Sequence, residues 1–180
     1  VAIKQTLYRT SADSPIVNAL THAAERGKQV AVLVEVKARF DEENNLYWSN
    51  RLKENGATVL HGGADMKVHS KLIQITRMHG NKKQYISHVG TGNFHERTAK
   101  IYGDLSLLTA NEAICEEVSK VFTMLESNNH KRRFKTLLVS PMNNRNRILE
   151  LIQNEIKFSK AGEKAQIWIK LNNLTDPQLI

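Results

Sequence analysis

The residues of this 180-residue chain that could do chemistry gather around one triplet, His69-Ser70-Lys71. Side chains at i and i+2 of a strand share a face, so His69 and Lys71 are expected to point together. An imidazole can attack phosphorus, and an adjacent ammonium can hold phosphate oxygens while charge develops on them. His-x-Lys is common by chance, so the case rests on its surroundings. His88 leads into Gly90-Thr91-Gly92-Asn93. Glycines there let backbone N–H groups approach an anion closely, and Thr91 and Asn93 add short polar groups. Arg9 and Arg39 each follow a β-like run. In parallel α/β sheets ligands gather beyond the carboxyl ends of strands, where two guanidinium forks suit phosphate oxygens. No Cys/His set has zinc-ligand spacing, and neither GxxxxGK[ST] nor a dinucleotide glycine fingerprint occurs.

The elements that must position these residues follow from periodicity. Val1–Tyr8 reads as a strand. Ser14 caps a helix that opens with Pro15 and stops at Gly27. Gln29–Val36 is an apolar run suited to a strand buried on both faces, Asp41–Asn55 a helix, and Ala57–Leu60 a short strand. Alternation of strand and helix implies parallel strands covered by helices. His69–Met78 and Lys83–Val89 then read as a hairpin, so His69 and His88 can lie close in space. A polar stretch, Gly90–Gly103, then leads to Asp104–Leu108, and Asn111 caps a helix over Glu112–Glu126. Beyond the polar segment Ser127–Lys135, a strand is expected at Thr136–Val139, a helix at Asn143–Ala161 and a strand at Ala165–Leu171. The last strand, with its polar turn and Pro177, resembles the opening of the chain. The expected division is 1–135 for one domain and 136–180 for the start of a second, related one.

Composition sets wider bounds. Hydrophobic residues make up 41% and charged residues 24%, a globular balance. No apolar run is long enough to span a bilayer, and no leader peptide is visible. The single Cys115 excludes an internal disulfide framework and fits a reducing, cytoplasmic setting. The net charge of +8 is uneven: residues 1–127 have 16 basic against 14 acidic residues, whereas 128–180 have 10 against 4. A basic cluster around His130-Lys131-Arg132-Arg133 and Arg145/Arg147 suggests a polyanionic partner. Without an initiator Met, and with a helix opening at its end, the chain reads as a fragment.

Several long segments, YRTSADSPIV, GKQVAVLVEVKARFDEENN, KVHSKL, HVGTGNFHERTAKIYGDLSLLT and NRILELI, resemble the bacterial polyphosphate kinase family in order and over essentially the whole chain. The resemblance implies a phospholipase D-like α/β fold, a mixed sheet flanked by helices, followed by the beginning of a second similar domain. It implies reversible transfer of the terminal phosphate of ATP to inorganic polyphosphate, with Mg2+ and with ADP as the other nucleotide. His69 would form the phosphohistidine, His88 matches a second important histidine, and Tyr102 matches a nucleotide-binding tyrosine. Arg9 and Arg39 match positions associated with magnesium; a guanidinium has no acceptor, so their expected role is to grip metal-bearing phosphates. A homo-oligomer in the cytoplasm, with peripheral membrane contact and no nucleic acid, is what the family leads one to expect. The fragment alone is expected to be inactive, since it would lack the rest of the second domain and its histidine. The phospholipase D pattern also calls for an Asp a few residues after Lys71, where Thr76 stands. Two alternatives stay open on the residues: a phospholipase D-like phosphodiesterase using His69, and a non-catalytic polyanion-binding module using residues 130–147.

Overall fold

The computed structural model describes residues 1–11, 13–35, 42–62, 67–127, 129, 131–171 and 173–180. They divide into two compact units, Val1–Asn129 and His130–Ile180.

The first unit is built on strands β1 (Ala2–Leu7), β2 (Gln29–Val34), β3 (Thr58–His61), β4 (Lys71–His79), β5 (Lys82–Gly90) and β6 (Ser106–Thr109). Helices α1 (Pro15–Glu25), α2 (Glu42–Glu54), the short α3 (Glu96–Ala99) and α4 (Glu112–Ser127) lie between and after them. The six strands form one mixed sheet in the order β3-β2-β1-β4-β5-β6. β1, β2 and β3 run parallel, as strand–helix–strand units require, while β4 enters antiparallel to β1 and starts a meander through β5 and β6.

Alternation along β1 assigns the two faces. Ile3 and Leu7 pack with α1 and α2 in a core that includes Val17, Leu20, Val32, Val34, Trp48 and Leu52. On the opposite face Lys4 pairs with Glu126 of α4, and Gln74 of β4 reaches the Cys115 carbonyl and the Ser119 hydroxyl of that helix. Helices thus cover both faces, which is why β2 reads as an unbroken apolar run. Leu52 is wholly buried. Leu52→Ala should lower unfolding stability by about 3 kcal/mol, read as a lower urea midpoint with an unchanged slope.

Local chemistry sets the element ends. The Ser14 hydroxyl accepts the Val17 N–H, with Pro15 in the first turn. His79 pairs with Lys82, so the hairpin turn shrinks from the expected four residues to Gly80-Asn81, with Gly80 at φ 59°.

Three sequence expectations need correction. β4 begins at Lys71 rather than His69. The peptide groups at Val68 and Ser70 are bonded by side chains instead of a strand ladder. In the second unit, neither Thr136–Val139 nor Ala165–Leu171 is a strand. Their alternation suits a sheet, but no extended segment bonds beside either one among the described residues, and an unpaired strand leaves its backbone groups unsatisfied by protein. The helix α5 (Asn144–Lys160) does form, and Gly162 at φ 80° follows its end. The Asn143 side chain bonds the Phe134 and Leu137 carbonyls and the Val139 N–H, organising the loop before it. No described helix is long and apolar enough to cross a membrane.

Candidate active site

The topology brings five chain segments to one end of the sheet. The carboxyl ends of the parallel β1 and β2 lie beside the start of β4, because β4 is antiparallel to β1. Lys71 in turn pairs with Gly90 at the end of β5, and Gly90 with Ser106 at the start of β6. This is the end at which open α/β sheets bind ligands.

Helix α2 fixes the loop leaving β1. The buried Asn45 amide donates to both the Tyr8 and Glu35 carbonyls, at 3.1 and 2.9 Å, joining the ends of β1 and β2. Asn44 donates to the Thr10 carbonyl and the Trp48 indole to the Ser11 carbonyl. Tyr8 and Arg9 are therefore presented from a pinned backbone.

Around the Tyr8 ring the functional side chains converge. The His69 imidazole packs edge-on against it, with centroids 4.6 Å apart. The Lys71 and Lys67 ammonium groups lie 5.0 and 5.2 Å from its centroid, and the Arg9 guanidinium 5.7 Å. Three cations thus share one aromatic ring and one histidine. Lys71 Nζ is 3.1 Å from His69 Nδ1 and also donates to the His69 carbonyl. Partial burial is the largest influence on His69, and with Lys71, Lys67 and Arg9 it pulls the imidazole pKa below its usual value. At neutral pH the ring is uncharged, the form with a free nitrogen lone pair. Burial likewise lowers Lys71, to about 8; Asp104 pulls upward and Arg9 adds to the lowering.

The glycine-rich turn lies on the other side of Lys71. The Thr91 hydroxyl donates to Asp104 Oδ1 at 2.8 Å and accepts the Leu105 N–H, while the Thr91 N–H bonds the Leu105 carbonyl. Thr91 therefore ties its turn to Asp104, its hydroxyl hydrogen already committed. A Cβ on Gly92 would lie 2.5 Å from Asp104 Oδ2, so only glycine admits the carboxylate there. A Cβ on Gly90 would meet His88 Cε1 at 2.6 Å, because the His88 ring folds over that residue. His88 contacts Ser106 Oγ at 3.0 Å and faces Phe94. Burial lowers its pKa, opposed by a bond to the Lys71 backbone. The Asn93 side-chain oxygen is buried with no hydrogen-bond partner among the described residues. Tyr102 is 57% exposed after α3.

Of the residues singled out from the sequence, the structure joins His69, Lys71 and Arg9 around Tyr8. His88, Thr91 and Asn93 lie at the adjoining turn, and Tyr102 lies at the surface beyond α3. Arg39 lies outside the described residues. Sequence reasoning missed Tyr8, Lys67, Asn45 and Asp104. Lys67 shares the i, i+2 relation to His69 that Lys71 has and could have been found that way. The others act across distances that no local pattern records.

Among the described residues no three His, Cys, Asp or Glu side chains cluster to hold a metal ion. Arg9 offers donors only, so these residues do not fit a resident Mg2+. In the second unit Arg145 is paired with Asp176 and Arg147 with Glu150, so part of its basic cluster is already engaged with carboxylates.

Asp104 yields a direct test. Asp104→Asn removes the charge that raises Lys71. The alkaline limb of kcat/KM for ATP, measured in the full-length protein, should move to lower pH while the acid limb stays in place.

The mixed sheet, with a cation-ringed histidine beyond the carboxyl ends of its parallel strands, defines an α/β domain whose candidate site suits an anion. Polyphosphate kinase C-terminal domain 1 matches residues 1–131, and polyphosphate kinase C-terminal domain 2 matches residues 137–180. This chain belongs to the polyphosphate kinase family. It is 48% identical over all 180 residues to the polyphosphate kinases of Prosthecochloris aestuarii and Vibrio cholerae, and spans 25% and 26% of their lengths. The crystal structure of polyphosphate kinase from Porphyromonas gingivalis matches 89% of this chain and 27% of its own, at 41% identity and a TM-score of 0.76.

Proposed function

We propose that this chain is the part of a polyphosphate kinase that supplies the phosphoryl-accepting histidine, His69, for reversible transfer between ATP and inorganic polyphosphate. The observation that supports this best is the neutral imidazole of His69 set against Tyr8 among Lys67, Lys71 and Arg9. A histidine held uncharged by burial and by neighbouring cations is a nucleophile, and those cations suit the oxygens of the phosphate it attacks.

In the first half-reaction a lone pair on His69 Nε2 attacks the γ-phosphorus. The bond to the β,γ-bridging oxygen breaks, and its electron pair leaves with ADP. In the second, a terminal polyphosphate oxygen attacks the same phosphorus, and the P–N electron pair returns to the ring. The ground-state contact sets a condition on the first step. With the Lys71 ammonium donating to Nδ1, the neutral ring bears its proton on Nε2. The incoming phosphate draws Lys71 onto its oxygens, Nδ1 takes up the proton through solvent, and Nε2 is freed. Arg9 and Lys67 share the equatorial charge. The His88 ring lies over the glycine turn and contributes to the wall of the phosphate site. The exposed Tyr102 ring provides a face for adenine. Any magnesium would be held by the phosphates of ATP rather than by Arg9, whose guanidinium has only donors.

A phosphodiesterase reading gains nothing from this geometry, and the family match does not favour it. The proposal is tested by a brief pulse of γ-labelled ATP on the full-length protein. The expected result is protein-bound label that is acid-labile, alkali-stable and returned to ATP by added ADP. Polyphosphate synthesis without any such label would overturn it.

A further inference from the structure

We infer that Glu35 and Thr6 are positioning residues that clamp the peptide on either side of His69; this rests on the reading of His69 as the nucleophile. His69 lies two residues outside β4, where no strand ladder orients it. Its flanking peptide groups are nevertheless held, and by side chains from other strands. The Glu35 carboxylate, at the end of β2, accepts the Val68 N–H at 2.7 Å. The Thr6 hydroxyl of β1 donates to the Ser70 carbonyl at 2.7 Å and accepts the Leu72 N–H at 2.9 Å. Both residues are nearly inaccessible to solvent, at 2% and 1% exposure.

The clamps are themselves anchored. The Glu35 N–H bonds the Leu7 carbonyl, and the Glu35 carbonyl accepts from Asn45, whose amide also bonds Tyr8. One buried amide thus references the carboxylate that holds Val68 and the backbone that presents Tyr8 to a common frame. Val68 is also buried, its side chain wedged inward on one side of His69 while the imidazole stays accessible on the other.

The groups that depress the His69 pKa by their charge are Lys71, Lys67 and Arg9, all cationic. Glu35 therefore acts on His69 through geometry. What the Val68 N–H needs from it is an acceptor oxygen. Glutamine keeps an acceptor at the same reach, and alanine does not. Likewise serine keeps the two bonds of Thr6, and valine removes them with little change of shape.

The test uses the full-length protein with Glu35→Ala, Glu35→Gln, Thr6→Val and Thr6→Ser. Hydrogen–deuterium exchange of the peptide spanning residues 67–72 reports the clamp without any chemistry. Single-turnover formation of phosphohistidine reports its consequence. Glu35→Ala and Thr6→Val should raise exchange in that peptide at least about tenfold and slow transfer about 100-fold, the order expected for a nucleophile displaced by an ångström. KM for ATP should stay within about threefold, and both pH limbs should be unmoved, because the charges around His69 remain. Glu35→Gln and Thr6→Ser should stay within about threefold of the unsubstituted protein in both readouts. Equal impairment by Glu35→Gln and Glu35→Ala would overturn the inference. So would exchange rising throughout residues 1–129 rather than in the clamped segment, or unchanged exchange in both Glu35→Ala and Thr6→Val. Should His69→Ala retain covalent label, the nucleophile assignment fails while the exchange results still judge the clamp.

Discussion

Replacing His69 with alanine in the full-length protein is expected to lower polyphosphate synthesis from ATP by about 10,000-fold or more, since a covalent route without its nucleophile has no partial form. The fold should tolerate the change. His69 is solvent-exposed, outside the strand ladder, and its side-chain contacts are the edge of Tyr8 and the Lys71 amine. Its flanking peptide groups are fixed by Glu35 and Thr6 and stay bonded whatever side chain stands at 69. Urea unfolding should therefore match the unsubstituted protein while turnover vanishes. Retention of more than a few per cent of the rate would show that phosphate does not pass through His69.

Lys71 should produce the next largest effect. Lys71→Met keeps the length of the side chain and removes its charge, and transfer should fall by about 100- to 1,000-fold, the range seen when one transition-state donor is removed. The pH dependence separates charge from shape. Two conditions must hold together: His69 uncharged and Lys71 charged. His69 meets the first above its depressed pKa, so kcat/KM for ATP should fall only on acidification below the ordinary histidine range. Lys71, held at about 8, meets the second below that value, so activity should fall again as the pH rises through it. Lys71→Arg keeps its charge at any working pH. Its lower rate at neutrality should come with loss of the alkaline limb. An alkaline limb unchanged in Lys71→Arg would assign that titration to another group.

Much of the sheet was legible because its determinants are local. The apolar run at Gln29–Val34, the Ser14-Pro15 helix start and the hairpin around Gly80 each record in neighbouring residues what the backbone does there. The pairing of His69 with Lys71 was also legible, but for a different reason than the structure shows. The two were expected to share a strand face; instead Lys71, first residue of β4, reaches back to a His69 outside the strand. What local pattern could not show is what neighbours across the sheet supply. Glu35 reads as one charge in an apolar run, and its carboxylate acts on an N–H 33 residues away. Asp104 follows a surface turn, and its carboxylate packs against Gly92 and raises the pKa of Lys71. Tyr8 looks like the polar end of a strand and proves to be the ring around which the site is built. The expected strands at Thr136–Val139 and Ala165–Leu171 failed for the converse reason. Alternation states which face of a strand is apolar but leaves open whether a partner strand stands beside it.

The central claim is that one nitrogen, on His69, receives the phosphoryl group. The most direct measurement is to quench the full-length protein during turnover with ATP, digest it at alkaline pH, and locate the phosphate by peptide mass spectrometry. The expected result is phosphate on His69 within Lys67–Lys71, lost on acid treatment. Phosphate on His88 or His95 instead, with His69 unmodified, would contradict the account.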